Sequence, residues 1–225
     1  MEQLRYILFV LALTSSVSLW AQQPSSNRHS SPLYYGISGG LVSNILVGSE
    51  IDLQKKIYNN VMSHKTGPTF SLFIKREITA RWFIKYELDY IRKGNNSNNA
   101  GYELNTEYLS IPLKFGFQPL NFLNTKKIQA SMEFGPALNF EPGHGTDNLK
   151  KAYSAANNSK VNKVGLGVLA GANFEYRLDP RRIVFLNYTF YHDLTPLLSY
   201  NAGNVNYKAS NQGWMLSIGL MFIIH

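Results

Sequence analysis

The residue types that could run nucleophilic or acid–base chemistry are few in this 225-residue chain, and they are scattered. His64, His144 and His192 lie on or beside polar stretches, and Ser154, Asp147 and Asp193 are the hydroxyl and acids that could accompany them. Acyl transfer would need the hydroxyl within hydrogen-bond reach of its base, and a third group to orient that base. The positions of these residues along the chain specify no such set. The histidines lack the tight ligand spacing of a zinc site. With no cysteine there is no thiolate ligand, thiol nucleophile or disulfide. Gly36, Gly39 and Gly40 lack the spacing of a phosphate-cradling loop and open no helix. No catalytic residue, cofactor or metal is expected.

A second set of chemistry-bearing residues is ordered. Over residues 81–94, Lys85, Glu87 and Asp89 alternate with Trp82, Ile84, Tyr86, Leu88 and Tyr90. A period of two belongs to a strand, whose successive side chains point to opposite faces. The same reading puts Lys75, Lys114, Glu133, Glu175 and Arg177 on the polar faces of other alternating segments. Lys75, Lys85, Lys114 and Arg177 then balance Glu87, Asp89, Glu133 and Glu175. Opposite charges sharing an enclosed face are expected to form a salt-bridge network, because an unpaired buried charge is costly.

Eight segments alternate in this way: 33–42, 69–78, 81–94, 108–117, 127–141, 163–177, 183–192 and 213–225. In 127–141, Ile128, Ala130, Met132, Phe134, Pro136, Leu138 and Phe140 take every even position. That run exceeds the roughly 5–6 residues usual for a soluble strand. It suits a membrane, because about ten residues tilted by ~40° cross an apolar band of about 25 Å. Residues 102–108 alternate on the other parity, which a bulge near Glu107 would reconcile. Short links follow the second, fourth and sixth segments (76–80, 118–127, 178–181). Mostly longer polar links follow the odd ones (43–68, 95–101, 142–162, 193–212). The expected fold is therefore all-β: an eight-stranded antiparallel up-and-down transmembrane barrel, with both chain ends on the short-turn side, facing the periplasm. A soluble sandwich should have shorter strands and less one-sided turns. Eight strands enclose a space just wide enough for side chains, so no wide pore is expected.

The first residues have the layout of a secretory signal peptide, with Arg5, an apolar core and Ala21 at the cut. The expected organisation is a signal peptide over 1–21, a polar periplasmic tail over 22–32 and the barrel over 33–225. The formal net charge is +8. Export argues against nucleic acid as the partner and favours an anionic membrane surface. Since the inward charges cancel, the surplus falls on loops and turns. Lys55, Lys56, Lys65, Lys93, Lys150, Lys151, Lys160 and Lys208 are expected on the long-loop side, and Lys126, Lys127, Arg181 and Arg182 on the short-turn side. Lys55, Lys56, Lys65, Lys150 and Lys151 are the candidates for contacting lipopolysaccharide phosphates.

The segments "YYGISGGLVSNI", "FIKYELDYIRKG", "EYLSIPLKFGF", "MEFGPALNF", "GLGVLAGANFEYR" and "YHDLTPL" occur in the order and spacing of one family. As a set, covering the chain from about Leu33 onward, they resemble the PorT-like outer-membrane β-barrel family of Bacteroidetes. That resemblance implies an eight-stranded outer-membrane barrel, and through the family's namesake it implies a link to type IX secretion. It also implies that His192 belongs to a strand-end pattern and not to a catalytic pair. No strand shows a Ser–x–His or similar pair on its lipid face, so a lipid A-modifying enzyme is disfavoured. Two binding roles remain. One is a subunit of a secretion or assembly complex that touches partners through its short turns and tail. The other is a free-standing barrel that binds external ligands or surfaces through its long loops.

Overall fold

The computed structural model describes residues 32–58, 62–97, 103–119, 127–142, 160–202 and 205–224. Residues 1–31 lie outside this set, and with them the signal peptide and nearly all of the tail. Eight antiparallel strands form the wall: β1 (Leu33–Val47), β2 (Met62–Glu77), β3 (Trp82–Ser97), β4 (Glu103–Phe117), β5 (Ile128–Phe140), β7 (Val164–Arg177), β8 (Arg182–Asp193) and β10 (Val205–Ile224). Each pairs with the next, and β1 closes on β10 from Leu33↔Ile224 to Val47↔Ser210. Closure leaves no edge, so the wall's backbone groups are satisfied without water, as a bilayer requires.

Alternation sorts the side chains as the sequence pattern predicts. Tyr35, Ile37 and Leu41 on β1, Phe70, Leu72 and Ile74 on β2, and Met132 and Phe134 on β5 are exposed on the outer wall. Aromatic side chains mark both borders of this band. Tyr35 stacks on Phe222 (ring centroids 5.3 Å) and Trp82 meets Phe117 (4.8 Å) at the short-turn border. Tyr188 and Trp214 pair at the other border (6.2 Å). From Trp82 to Tyr90 the strand runs about 20 Å across the membrane at a tilt of ~40°, close to the expected apolar height.

The strands do not stop there. β10 has 20 residues, twice the roughly ten a crossing needs. Beyond Tyr90 and Trp214 the outward positions turn polar: His64, Thr66, Arg92 and Glu107 are exposed. The wall therefore continues past the bilayer on the long-loop side. Much of what reads as loop in the sequence is this extension, with β6 (Lys160–Val161) and β9 (Leu198–Ala202) added to β10, and one helix, α1 (Ser49–Tyr58). Gly48 makes the turn into α1 at φ +129°, and a Cβ there would meet the Lys208 carbonyl oxygen at 2.4 Å. Asp52 N–H bonds the Gly48 carbonyl (3.2 Å), Lys208 N–H bonds Ser49 Oγ (3.0 Å), and Tyr200 OH bonds Glu50.

The expected bulge near Glu107 is absent. β3 and β4 keep one register from Trp82↔Phe117 through Arg92↔Glu107 to Asn96↔Glu103. Tyr108 simply faces inward and is buried. The parity conflict arose because the upper interior is itself apolar and aromatic: Val42, Leu46, Ile91, Leu169, Tyr191 and Met215 pack there with Tyr108. Above the membrane the barrel interior resembles the core of a soluble protein, so inward residues need not be polar.

Candidate functional site in the barrel lumen

The lumen is filled in layers. Nearest the short turns, Tyr34, Phe73, Ile183, Phe185 and Met221 form an apolar cluster, and Tyr34 OH donates to Glu77 Oε1 (2.7 Å). Phe73 and Phe83 fit only because glycine faces them. A Cβ on Gly36 would lie 2.3 Å from the Phe73 ring, and one on Gly116 would lie 1.9 Å from that of Phe83. These rings in turn support lysines. Lys75 Nζ sits 4.3 Å from the Phe83 centroid and Lys85 Nζ 4.5 Å from that of Phe73, within cation–π range.

The charged layer follows. Lys75 on β2 crosses to Glu175 on β7 (2.7 Å), whose Oε1 also accepts from Asn173 Nδ2 (2.7 Å). Glu87 on β3 bridges Lys85 (2.6 Å) and Lys114 on β4 (2.5 Å). Glu133 on β5 faces the same lysines at 3.5 and 3.7 Å, and Asn187 on β8 donates to its Oε2 (3.4 Å). All six charged residues are nearly inaccessible, so their ion pairs operate without solvent screening.

Two members of the expected network stand apart from these pairs. Arg177 is at the exposed end of β7, where the strand leaves the lumen, and among the described residues it takes no ion pair. Asp89 is buried at 2 % exposure, but among the described residues no lysine comes within ion-pair distance of it, and its Oδ1 has no hydrogen-bond partner. Lys85 and Lys114 line the same part of the lumen but are drawn to the two glutamates.

A third layer, which sequence reasoning missed, closes the long-loop side of the lumen. Lys93 was expected on the outer loops; instead it is 2 % exposed and its Nζ lies 3.4 Å from both carboxylate oxygens of Asp193. The Tyr191 and Tyr108 rings flank the ammonium at 4.2 and 4.8 Å. Asn139 and Asn211 donate to Asp193 (2.9 and 3.0 Å), Ser110 donates to Asn139 (2.6 Å), and Tyr191 donates to Asn44 (2.5 Å). The layer ties together β1, β3, β4, β5, β8 and β10. The signal was present in the strand parity, since Lys93 continues the run of Lys85, Glu87 and Asp89, but it depended on how far β3 extends.

Among the described residues the candidate catalytic side chains do not assemble. His144, Asp147 and Ser154 lie outside the described residues. His192 and Asp193 diverge, the first on the outer wall and the second in the lumen beside Lys93. One unforeseen pair does form on the outer wall: Ser43 Oγ on β1 and His64 Nδ1 on β2 are 3.3 Å apart. Ser43 is 4 % exposed, and among the described residues His64 has no carboxylate partner. A nucleophile needs access to substrate and an oriented base, and this pair has neither. Among the described residues no three His, Asp or Glu side chains gather as a metal would require.

Of the lipopolysaccharide candidates, Lys55 and Lys56 are exposed in the last turn of α1, and Lys65 is half-buried on β2. Lys150 and Lys151 lie outside the described residues.

Residues 20–199 match the family described as "Outer membrane protein beta-barrel domain". No protein of curated function matches the chain. Among solved structures, the fold is similar to that of OprG from Pseudomonas aeruginosa, with a TM-score of 0.55 over 87% of this chain and 97% of that one, at 13% identity. AlkL, determined by solid-state NMR in lipid bilayers, aligns with a TM-score of 0.49 over 90% and 94% of the two chains at 11% identity. Neisserial surface protein A aligns at 0.44 over 84% and 96%, with 14% identity. At 13% identity the likeness to OprG is one of fold.

Proposed function

This chain belongs to the outer membrane protein beta-barrel domain family, and on that premise we propose that it is a non-enzymatic structural or partner-binding component of the envelope, not a pore. It is a small outer-membrane barrel whose outer wall meets lipid. The observation that carries the proposal is the filled lumen: the Lys85–Glu87–Lys114–Glu133 cluster and the Lys93–Asp193 pair bar the passage at two levels. With no open channel, the parts left to act are the two ends. The test is conductance in a planar bilayer joined to cross-linking in cells. A barrel that passes no steady current and co-purifies a stoichiometric envelope protein supports the proposal. An open, steady conductance would overturn it.

The resemblance to PorT-like barrels favours a secretion or assembly complex of type IX character as the setting, with a periplasmic tail preceding the barrel. A second reading has its own support in the extension past the membrane, where α1, β6, β9 and β10 display Lys55, Lys56, Lys160 and Lys208. Those lysines suit phosphates of lipopolysaccharide or another external ligand. Removing them with loss of lipopolysaccharide binding would favour this reading.

A further inference from the structure

The short-turn end of the barrel carries a charge pattern that the lumen does not use. Arg81 directly precedes β3, Lys127 directly precedes β5, Arg177 ends β7 and Arg181 directly precedes β8. All four are exposed. Backbone hydrogen bonds fix their places on the rim: Gln118 N–H to Arg81 O (2.7 Å), Arg177 N–H to Lys127 O (2.8 Å) and Ile223 N–H to Arg181 O (3.0 Å). Each has the parity of the inward residues on its strand. Arg81 shares it with buried Phe83, Lys127 with Ser131, Arg177 with Glu175, and Arg181 with Ile183. The lipid-facing parity beside them is held by Trp82, Ile128, Tyr176 and Arg182. Four exposed cations therefore crown the mouth at positions that continue the inward parity of the wall.

Among the described residues the acids at this rim are fewer than these cations and are engaged elsewhere. Among the described residues none of the four side chains is ion-paired; of the acids at this rim, Glu77 accepts from Tyr34, and Asp179 is held by Arg182 and by the Arg181 backbone N–H. Residues 22–32, which precede β1 at this end, contain Arg28 and no acid. Residues 120–126, between β4 and β5, contain Lys126 and no acid. Directly beneath the crown the lumen is shut by Tyr34, Phe73, Ile183, Phe185 and Met221, so whatever binds there lies across the mouth and does not thread through it.

We infer that this mouth is a cationic docking ring for an acidic polypeptide segment of a periplasmic partner. The inference rests on the partner-binding reading above and assigns the surface through which it works. Phospholipid headgroups are the competing anions, but they reach the wall's outward side, where Arg76 and Arg182 already stand exposed to meet them.

The probe is a fluorescent peptide of ten glutamates, titrated onto the full chain in zwitterionic phosphatidylcholine nanodiscs, with a ten-lysine peptide as control. The expected result is binding of the glutamate peptide alone, weakened by salt. It should be roughly tenfold or more weaker in the Arg81→Gln/Lys127→Gln/Arg177→Gln/Arg181→Gln variant. Heat-modifiable migration reports whether that variant is folded, and the single reversal Arg181→Glu, which should also weaken binding, serves if it is not. Lys160→Gln/Lys208→Gln, at the opposite end, should bind as the unaltered chain does. Undiminished binding by the mouth variants overturns the inference, as does equal loss in the opposite-end variant. So does abolition of binding when phosphatidylglycerol replaces phosphatidylcholine, which would give the mouth to lipid. If the peptide fails but cross-linking still captures an envelope protein, the partner-binding reading stands and the mouth is not its surface.

Discussion

Lys93 and Asp193, one hundred residues apart, meet across the lumen with the ammonium 3.4 Å from both carboxylate oxygens and a tyrosine ring on either side. The pair locks the upper end of the barrel. Lys93→Ala leaves Asp193 buried with only amide donors, and a broken buried pair costs about 3–5 kcal/mol. Urea titration followed by heat-modifiable migration should show that loss. Lys93→Met/Asp193→Leu should recover only part of it, because Asn139 and Asn211 then lose their acceptor.

Glu87 and Asp89 are neighbours on one face of β3 and should answer oppositely to neutralisation. Glu87→Gln removes the charge that bridges Lys85 and Lys114 at 2.6 and 2.5 Å and should destabilise by about 3 kcal/mol or more. Asp89→Asn removes a buried carboxylate that has no ion pair among the described residues and one oxygen without a hydrogen bond, and should be neutral or stabilising. The same urea titration checks both, and equal losses would refute the layering of charges described above.

Gly116→Ala should fail to assemble, since the new methyl would lie 1.9 Å from the Phe83 ring. Adding Phe83→Leu should restore a heat-modifiable barrel. Rescue identifies the cause as crowding of the lumen; failure of the double variant would place the fault in the β4 backbone.

Asp179 closes the turn between β7 and β8. It accepts from the backbone of Arg181 (2.8 Å) and Arg182 (2.9 Å) and from Arg182 Nε (2.5 Å). These donors, the Arg181 N–H foremost, hold its carboxyl below the ordinary value. A folded-state value below the unfolded one stabilises above the ordinary carboxylate range and is lost as pH falls through the folded value. Asp179→Asn should therefore be less stable than the unaltered chain at pH 7. The gap should close below about pH 4 in urea titrations.

Alternation alone, in segments such as Trp82–Tyr90 and Ile128–Phe140, determined the strands, their lipid faces and the eight-fold closed wall. A membrane punishes any departure from period two, so the pattern is loud. It also pointed inward the three lysines and three glutamates that pair in the central layer. What only the tertiary structure decided lies where that constraint lapses. Past Tyr90 and Trp214 the outer wall meets water and the interior is partly apolar, so Tyr108 read as out of register and Lys93 read as a loop residue. Which carboxylate each lysine takes depends on heights around the barrel, set by strand stagger, and among the described residues that left Asp89 without an ion pair and Arg177 at the rim. The crown of Arg81, Lys127, Arg177 and Arg181 has the same origin: four residues far apart in the chain share a mouth only once the sheet closes.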